Sequence, residues 1–78
     1  MNFLEEKIQK YHAKKLDDAL QKMKFHENTK KQLESDLKMA NNDESKTKIE
    51  EKINYQNEMI GIWKKSIHTI NKQLKKLE

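Results

Sequence analysis

The strongest structural signal in the chain lies in residues 49–77, which read IEEKINYQNEMIGIWKKSIHTINKQLKKL. Apolar residues recur there at alternating spacings of four and three, which is the heptad repeat of a coiled coil. The a and d positions, which face a partner helix, are Ile49, Ile53, Gln56, Ile60, Trp63, Ile67, Ile70, Leu74 and Leu77. This segment therefore predicts a long amphipathic helix that packs along a second helix.

The first half of the chain carries a matching a and d series, formed by Leu16, Ala19, Met23, His26, Lys30, Leu33, Leu37 and Ala40. A polar, turn-prone cluster, NNDES, follows at residues 41–45. We predict a helix over residues 2–40, a turn over 41–46, and a second helix over 47–77. Asp or Ser of the turn can cap the second helix, and Thr47 with Glu50 also fits the spacing of a capping box. A rival break at Asn28–Thr29 would divide the first helix, but the apolar period continues across it.

Folding the chain back at Asp43 places the two series against each other in an antiparallel arrangement. In this register Leu37 faces Ile49, and the polar Lys30 meets the polar Gln56. The predicted fold is therefore all-α, a single domain of residues 1–78 that forms an antiparallel helical hairpin with coiled-coil packing.

Composition excludes most other folds. Of 78 residues, 38% are charged and 33% hydrophobic, whereas average globular domains are about 25% charged and nearly half apolar. Proline and cysteine are absent and glycine occurs once, so turn-rich β folds and disulfide scaffolds are excluded. The chain is too polar to fill a large core of its own.

A second apolar face appears at heptad positions c and g, which lie on one side of an antiparallel hairpin. It consists of Leu4, Ile8, Tyr11, Phe25, Met39, Tyr55, Met59 and Ile62. Large apolar patches usually mark interfaces. We therefore expect a homodimer in which two hairpins form a four-helix bundle, with these eight residues at the dimer interface.

The sequence shows no arrangement of side chains typical of a catalytic or metal site. His12, His26 and His68 lack the i,i+4 spacing of a helical metal site, and no cysteine assists them. Neighbouring acids such as Glu5 and Glu6 point about 100° apart on a helix, so they do not form a catalytic pair. We expect no enzyme activity, no catalytic residue, no cofactor and no metal.

Charge is concentrated at one end of the chain. All 17 basic residues are lysines, against 13 acids, for a net charge of +4. The C-terminal stretch holds an excess of lysines, and Lys65, Lys72, Lys75 and Lys76 are candidates for contact with a polyanion. Because arginine reads phosphates and bases bidentately, its absence predicts that nucleic-acid binding is weak and non-specific.

Sequence alone leaves two main hypotheses about function, beside a third in which the protein is a purely structural assembly element. No signal peptide and no membrane-spanning run is visible, so we expect a cytoplasmic protein that does not associate with membranes. The first hypothesis is a small regulatory or adaptor protein, for instance from a phage or mobile element, that contacts an unidentified protein partner. The alternative is a lysine-based dimer that binds structured RNA or DNA. The predicted pair of helical hairpins is similar in architecture to the plasmid copy-number regulators that pair two helical hairpins and bind RNA stem-loops. The likeness is of geometry, so no RNA-contact residue carries over.

Overall fold

The computed structural model describes residues 3–77 and shows two helices joined by a short loop. Helix α1 spans Phe3–Met39 and helix α2 spans Asp43–Lys76. They pack against each other in an antiparallel hairpin with dimensions of 61 × 14 × 12 Å. The prediction of an all-α helical hairpin is confirmed for the described residues. The predicted start of the first helix at residue 2 lies outside them, as does Glu78.

Both helices are continuous over their full lengths. No described residue has a positive φ or a cis peptide bond, so neither helix is kinked at a strained backbone position. The rival break at Asn28–Thr29 is wrong. The Thr29 hydroxyl donates a 2.8 Å hydrogen bond to the Phe25 carbonyl one turn earlier, inside the uninterrupted α1.

The loop is shorter than predicted, because α2 begins at Asp43 and not at residue 47. The N-cap is Asn42, whose backbone is extended (φ −138°, ψ 164°) and whose Oδ1 accepts a 2.8 Å hydrogen bond from the Ser45 amide. Asp43 and Glu44 then occupy the first turn, where negative charge is favourable. Thr47 does not cap the helix; its hydroxyl donates to the Asp43 carbonyl at 2.9 Å.

The predicted seam between the helices is confirmed residue by residue. Every a and d position from Leu16 to Leu77 is buried or partly buried, and most residues between them are exposed. Three apolar side chains are buried to more than 90%, namely Ala19, Ile60 and Ile70. This core is a narrow strip, and a two-helix hairpin with so little burial is expected to be only marginally stable alone.

The predicted pairing of Lys30 with Gln56 is wrong. Gln56 is 9% exposed, and its Oε1 accepts a 2.6 Å hydrogen bond from Nδ1–H of His26. The reason is the tighter loop, which moves the centre of the hairpin from residue 43 to residue 41. Each α1 residue therefore faces an α2 position four residues, or about one helical turn, nearer the loop.

Candidate protein-interaction surface

The eight residues at positions c and g, which we call the apolar stripe, lie on one side of the hairpin without cover from their own chain. Seven of them are exposed and Met59 is partly buried. Exposure ranges from 38% at Ile8 to 78% at Met39. Helical geometry explains the arrangement, because positions c and g flank the seam on the same side of both antiparallel helices. The hairpin alone therefore leaves these apolar side chains open to solvent.

The apolar stripe is not uniform along the hairpin. Phe25 on α1 and the three stripe residues of α2, Tyr55, Met59 and Ile62, lie at about the same distance from the loop, near the middle of the rod. Leu4, Ile8 and Tyr11 lie toward the open end, where the first and last described residues are found. Met39 stands alone beside the loop. The stripe thus has a central group, an open-end group and a single residue at the loop end.

Lysines border the aromatic rings at the open end. The Lys7 Nζ lies 4.7 Å from the centroid of the Phe3 ring, and the Lys15 Nζ lies 5.3 Å from that of Tyr11. Each such exposed cation–π contact is worth about 0.5–1 kcal/mol. Phe3 nevertheless remains 72% exposed and Tyr11 60% exposed. The lysines therefore do not cover the rings, and Lys15 places charge at the edge of the stripe beside Tyr11.

The surface area of the chain is large for its mass. The hairpin exposes 6402 Å². A compact monomer of 9.4 kDa is expected to expose about 5,000 Å². A standard protein interface removes about 800 Å² from each partner. The difference between these two surface areas is large enough for one such interface. Burial of the apolar stripe would remove the most apolar surface from water.

The opposite side of the hairpin carries a polar groove of about 350 Å³. Its walls mix acidic and basic side chains from both helices, and they are formed by Glu27, Lys30, Lys31, Glu34, Asn57, Ile60, Gly61 and Lys64. A Cβ placed on Gly61 would meet nothing within 4 Å. Packing within the chain therefore does not require glycine at this position, although glycine there costs about 1 kcal/mol relative to alanine.

The four lysines predicted to contact a polyanion are all exposed on α2. Lys72, Lys75 and Lys76 lie within little more than one turn, and Lys65 lies two turns earlier on the same helix. The structure places them near the open end, beside the N-terminal part of α1. They form a basic patch without aromatic side chains among them.

The seam contains polar atoms that the sequence pattern did not explain. The His26–Gln56 hydrogen bond satisfies one pair. Nδ1 of His12 and Nε1 of Trp63 are buried and have no hydrogen-bond partner among the described residues. An unpaired buried polar group costs about 1–3 kcal/mol. Both lie in the half of the seam nearer the open end, so this half contributes less stability than its apolar residues suggest.

The described part of the chain contains no recognisable cluster of catalytic or metal-binding side chains. His68 is exposed, whereas His12 and His26 lie in the seam. Within residues 3–77, no three histidine or carboxylate side chains converge into a cluster that could hold a metal ion. Neither described helix combines the length and apolarity that crossing a bilayer requires. The candidate binding surfaces are the apolar stripe, the polar groove and the basic patch.

Comparison with known proteins gives no relative. No protein-family model matches the chain, and we found no matching sequence among curated proteins and no matching solved structure.

Proposed function

We propose that the protein is a small non-enzymatic regulatory or adaptor protein that acts through protein–protein contacts as a dimer of helical hairpins. The observation that carries this proposal is the apolar stripe, which is exposed along the hairpin while the polar side is dominated by Lys, Glu, Asn and Gln. A second copy that covers the stripe would complete a four-helix bundle. It would also leave the polar groove and the basic patch free for another molecule.

Charge substitution in the central group tests the dimer. Tyr55→Lys and Met59→Lys should each convert the dimer to monomer at tens of micromolar, because a desolvated charge at the centre of an interface costs several kcal/mol. Asn57→Lys lies on the polar side of the same helix and serves as the matched control. Sedimentation equilibrium of the four proteins measures this. Equal association of all four would refute the placement of the interface.

The adaptor role is tested by capturing partners with the intact dimer. Tagged wild type and the monomeric Met59→Lys variant are incubated with nuclease-treated lysate of the native host, and bound proteins are identified by mass spectrometry. We expect a defined protein that the dimer retains and the monomer loses. If nuclease treatment removes every specific interactor, the protein-adaptor proposal fails.

A second candidate function is the binding of structured RNA or DNA, which the exposed basic patch favours. Lysine binds phosphate as a point charge, and a dimer would present two patches. Because arginine and interleaved aromatic residues are absent, we expect dissociation constants of about 10 μM or weaker at physiological salt, typical of non-specific association.

Fluorescence anisotropy with a labelled stem-loop RNA and a duplex DNA measures this affinity at two salt concentrations. The comparison is between wild type and a Lys72/Lys75/Lys76→Glu variant. Submicromolar binding that persists near 150 mM salt and is lost in the variant would make nucleic-acid binding the better account.

A further inference from the structure

We propose that the second copy packs on the apolar stripe in the opposite direction, so that the loop end of each hairpin lies beside the open end of its partner. The inference rests on the dimer proposed above and assigns the orientation of its two halves. Two-fold symmetry allows one alternative, a parallel dimer in which both loops lie at the same end. Charge and the distribution of apolar residues distinguish the two arrangements.

The hairpin is electrically polarised along its length. Met23 on α1 and Met59 on α2 lie equally far from the loop centre at residue 41, and they divide the hairpin into two halves. The loop half, residues 23–59, holds seven lysines and eight acidic residues. The open half, residues 1–22 and 60–78, holds ten lysines and five acidic residues. The net charges are therefore −1 and +5.

A parallel dimer would place the two +5 halves side by side. Like charges that face each other across an interface oppose association and suppress that arrangement. An antiparallel dimer places each +5 half against a half of −1, which removes the repulsion. The difference between the arrangements is screened by salt, since the Debye length is about 8 Å at physiological ionic strength.

The apolar stripe also fits the antiparallel arrangement. If the two-fold axis passes near Met59, Tyr55 of one copy faces Ile62 of the other, because the two residues lie four and three positions on either side of Met59. The two Met59 side chains then meet at the axis. The central group is therefore self-complementary in this orientation, as an interface with two-fold symmetry must be.

The isolated Met39 gains an apolar partner in the same arrangement. With the same axis, which passes near Met23 on α1, Met39 of one copy comes opposite Ile8 of the other, within one turn of Leu4. In a parallel dimer α1 of one copy would lie on α2 of the other, and Met39 would stay at the loop end, about 46 Å from the Ile8 level. The antiparallel orientation thus joins the loop-end methionine to the open-end group of the partner.

Cysteine cross-linking distinguishes the orientations cleanly because the chain has no cysteine. Ile8→Cys and Met39→Cys are prepared as separate single variants, and each is checked for dimeric mass under reducing conditions. They are then oxidised in a glutathione buffer, alone and as an equimolar mixture. A disulfide needs Cα atoms within about 7 Å, so only positions that truly face each other should join. An Asn57→Cys variant on the polar side is the control for collisional cross-linking.

We expect the mixture to form a mixed disulfide that joins one Ile8→Cys chain to one Met39→Cys chain. Met39→Cys alone should form no more disulfide than the Asn57→Cys control. A strong disulfide of Met39→Cys with itself, in a protein of dimeric mass, would overturn the antiparallel orientation and leave the dimer intact. A monomeric mass of the wild type would overturn the dimer and the orientation together.

If neither cysteine pair forms a disulfide, a distance measurement between spin labels distinguishes the two orientations. Asn41→Cys lies in the loop and outside the stripe, so a spin label there leaves the interface unchanged. In the antiparallel dimer the two labels are at least about 50 Å apart, as the helix rise requires. In the parallel dimer they lie below about 30 Å, given helix spacings of 8–10 Å. Dipolar spectroscopy that gives the short distance refutes the orientation, and the long distance supports it.

Discussion

Removal of the His26–Gln56 hydrogen bond is the most informative perturbation of the hairpin itself. Gln56 is 9% exposed, and the 2.6 Å bond from His26 is the side-chain partner that the structure gives it. His26→Leu leaves the Gln56 amide buried without that partner. A buried, unsatisfied amide costs about 1–3 kcal/mol. We expect His26→Leu to lower the free energy of unfolding by about this amount, offset in part by the added apolar packing of leucine.

The double variant His26→Leu/Gln56→Leu should behave in the opposite way. It removes both polar groups from the seam, and a buried polar pair replaced by apolar side chains is often neutral or stabilising. We expect the double variant to be at least as stable as the wild type. The interaction free energy from the double-mutant cycle should then be about 1–2 kcal/mol, in the range found for residues in contact.

Urea denaturation followed by circular dichroism measures these values, at one protein concentration because oligomers gain stability with concentration. Lys30→Leu/Gln56→Leu is the matched control cycle, since the seam pattern alone would pair those two residues. Its interaction energy should be near zero. A strong Lys30–Gln56 coupling with no His26–Gln56 coupling would show that the register of the hairpin is wrong by one helical turn.

Other substitutions test local features of the helices. Gly61→Ala should raise the stability by about 1 kcal/mol, because the new Cβ has open space and alanine favours the helix; a loss in melting temperature would show that another backbone occupies the groove. Asn42→Ala should lower stability by about 0.5–2 kcal/mol by removing the cap of α2, whereas Asn41→Ala, beside it in the loop, should change it much less. Ala19→Leu should destabilise by about 1–3 kcal/mol, since Ala19 is 1% exposed and the seam has no room for three more carbon atoms; unchanged urea midpoints would contradict close packing there.

The seam could be predicted from sequence because its signal is local and repeated. Each a or d residue is identified by spacing along one helix, and the structure buries these positions as the spacing requires. The exposed apolar stripe follows by the same geometry. The heptad pattern of one chain predicts which apolar residues the hairpin leaves exposed. It does not predict which molecule binds them.

The register could not be predicted because two solutions satisfy the same heptads. With the loop centred on residue 43, a residues face d residues. With the loop centred on residue 41, the facing positions shift by about half a heptad and d faces d, as in the His26–Gln56 pair, while the apolar seam is preserved. The choice depends on the cap of α2. Asn42 and Thr47 are both acceptable N-caps by residue type, and their backbone conformations decide between them.

The polar seam pair was missed for the same reason. Gln56 was recognised as a polar core position, but its partner depends on register, and the shift brings it to His26 in place of Lys30. An imidazole beside an amide forms a compact hydrogen-bonded pair. Lysine carries its charge on a long stem that reaches solvent. This difference favours histidine over lysine as the buried partner of Gln56.

The molar mass of the wild type in solution shows whether a second copy of this chain covers the apolar stripe. Size-exclusion chromatography with light scattering, at loading concentrations from about 5 to 100 μM, spans the range in which an interface of about 800 Å² per partner should be populated. We predict a mass of twice the 9.4 kDa chain at the upper concentrations. A mass of one chain throughout that range would contradict the dimer.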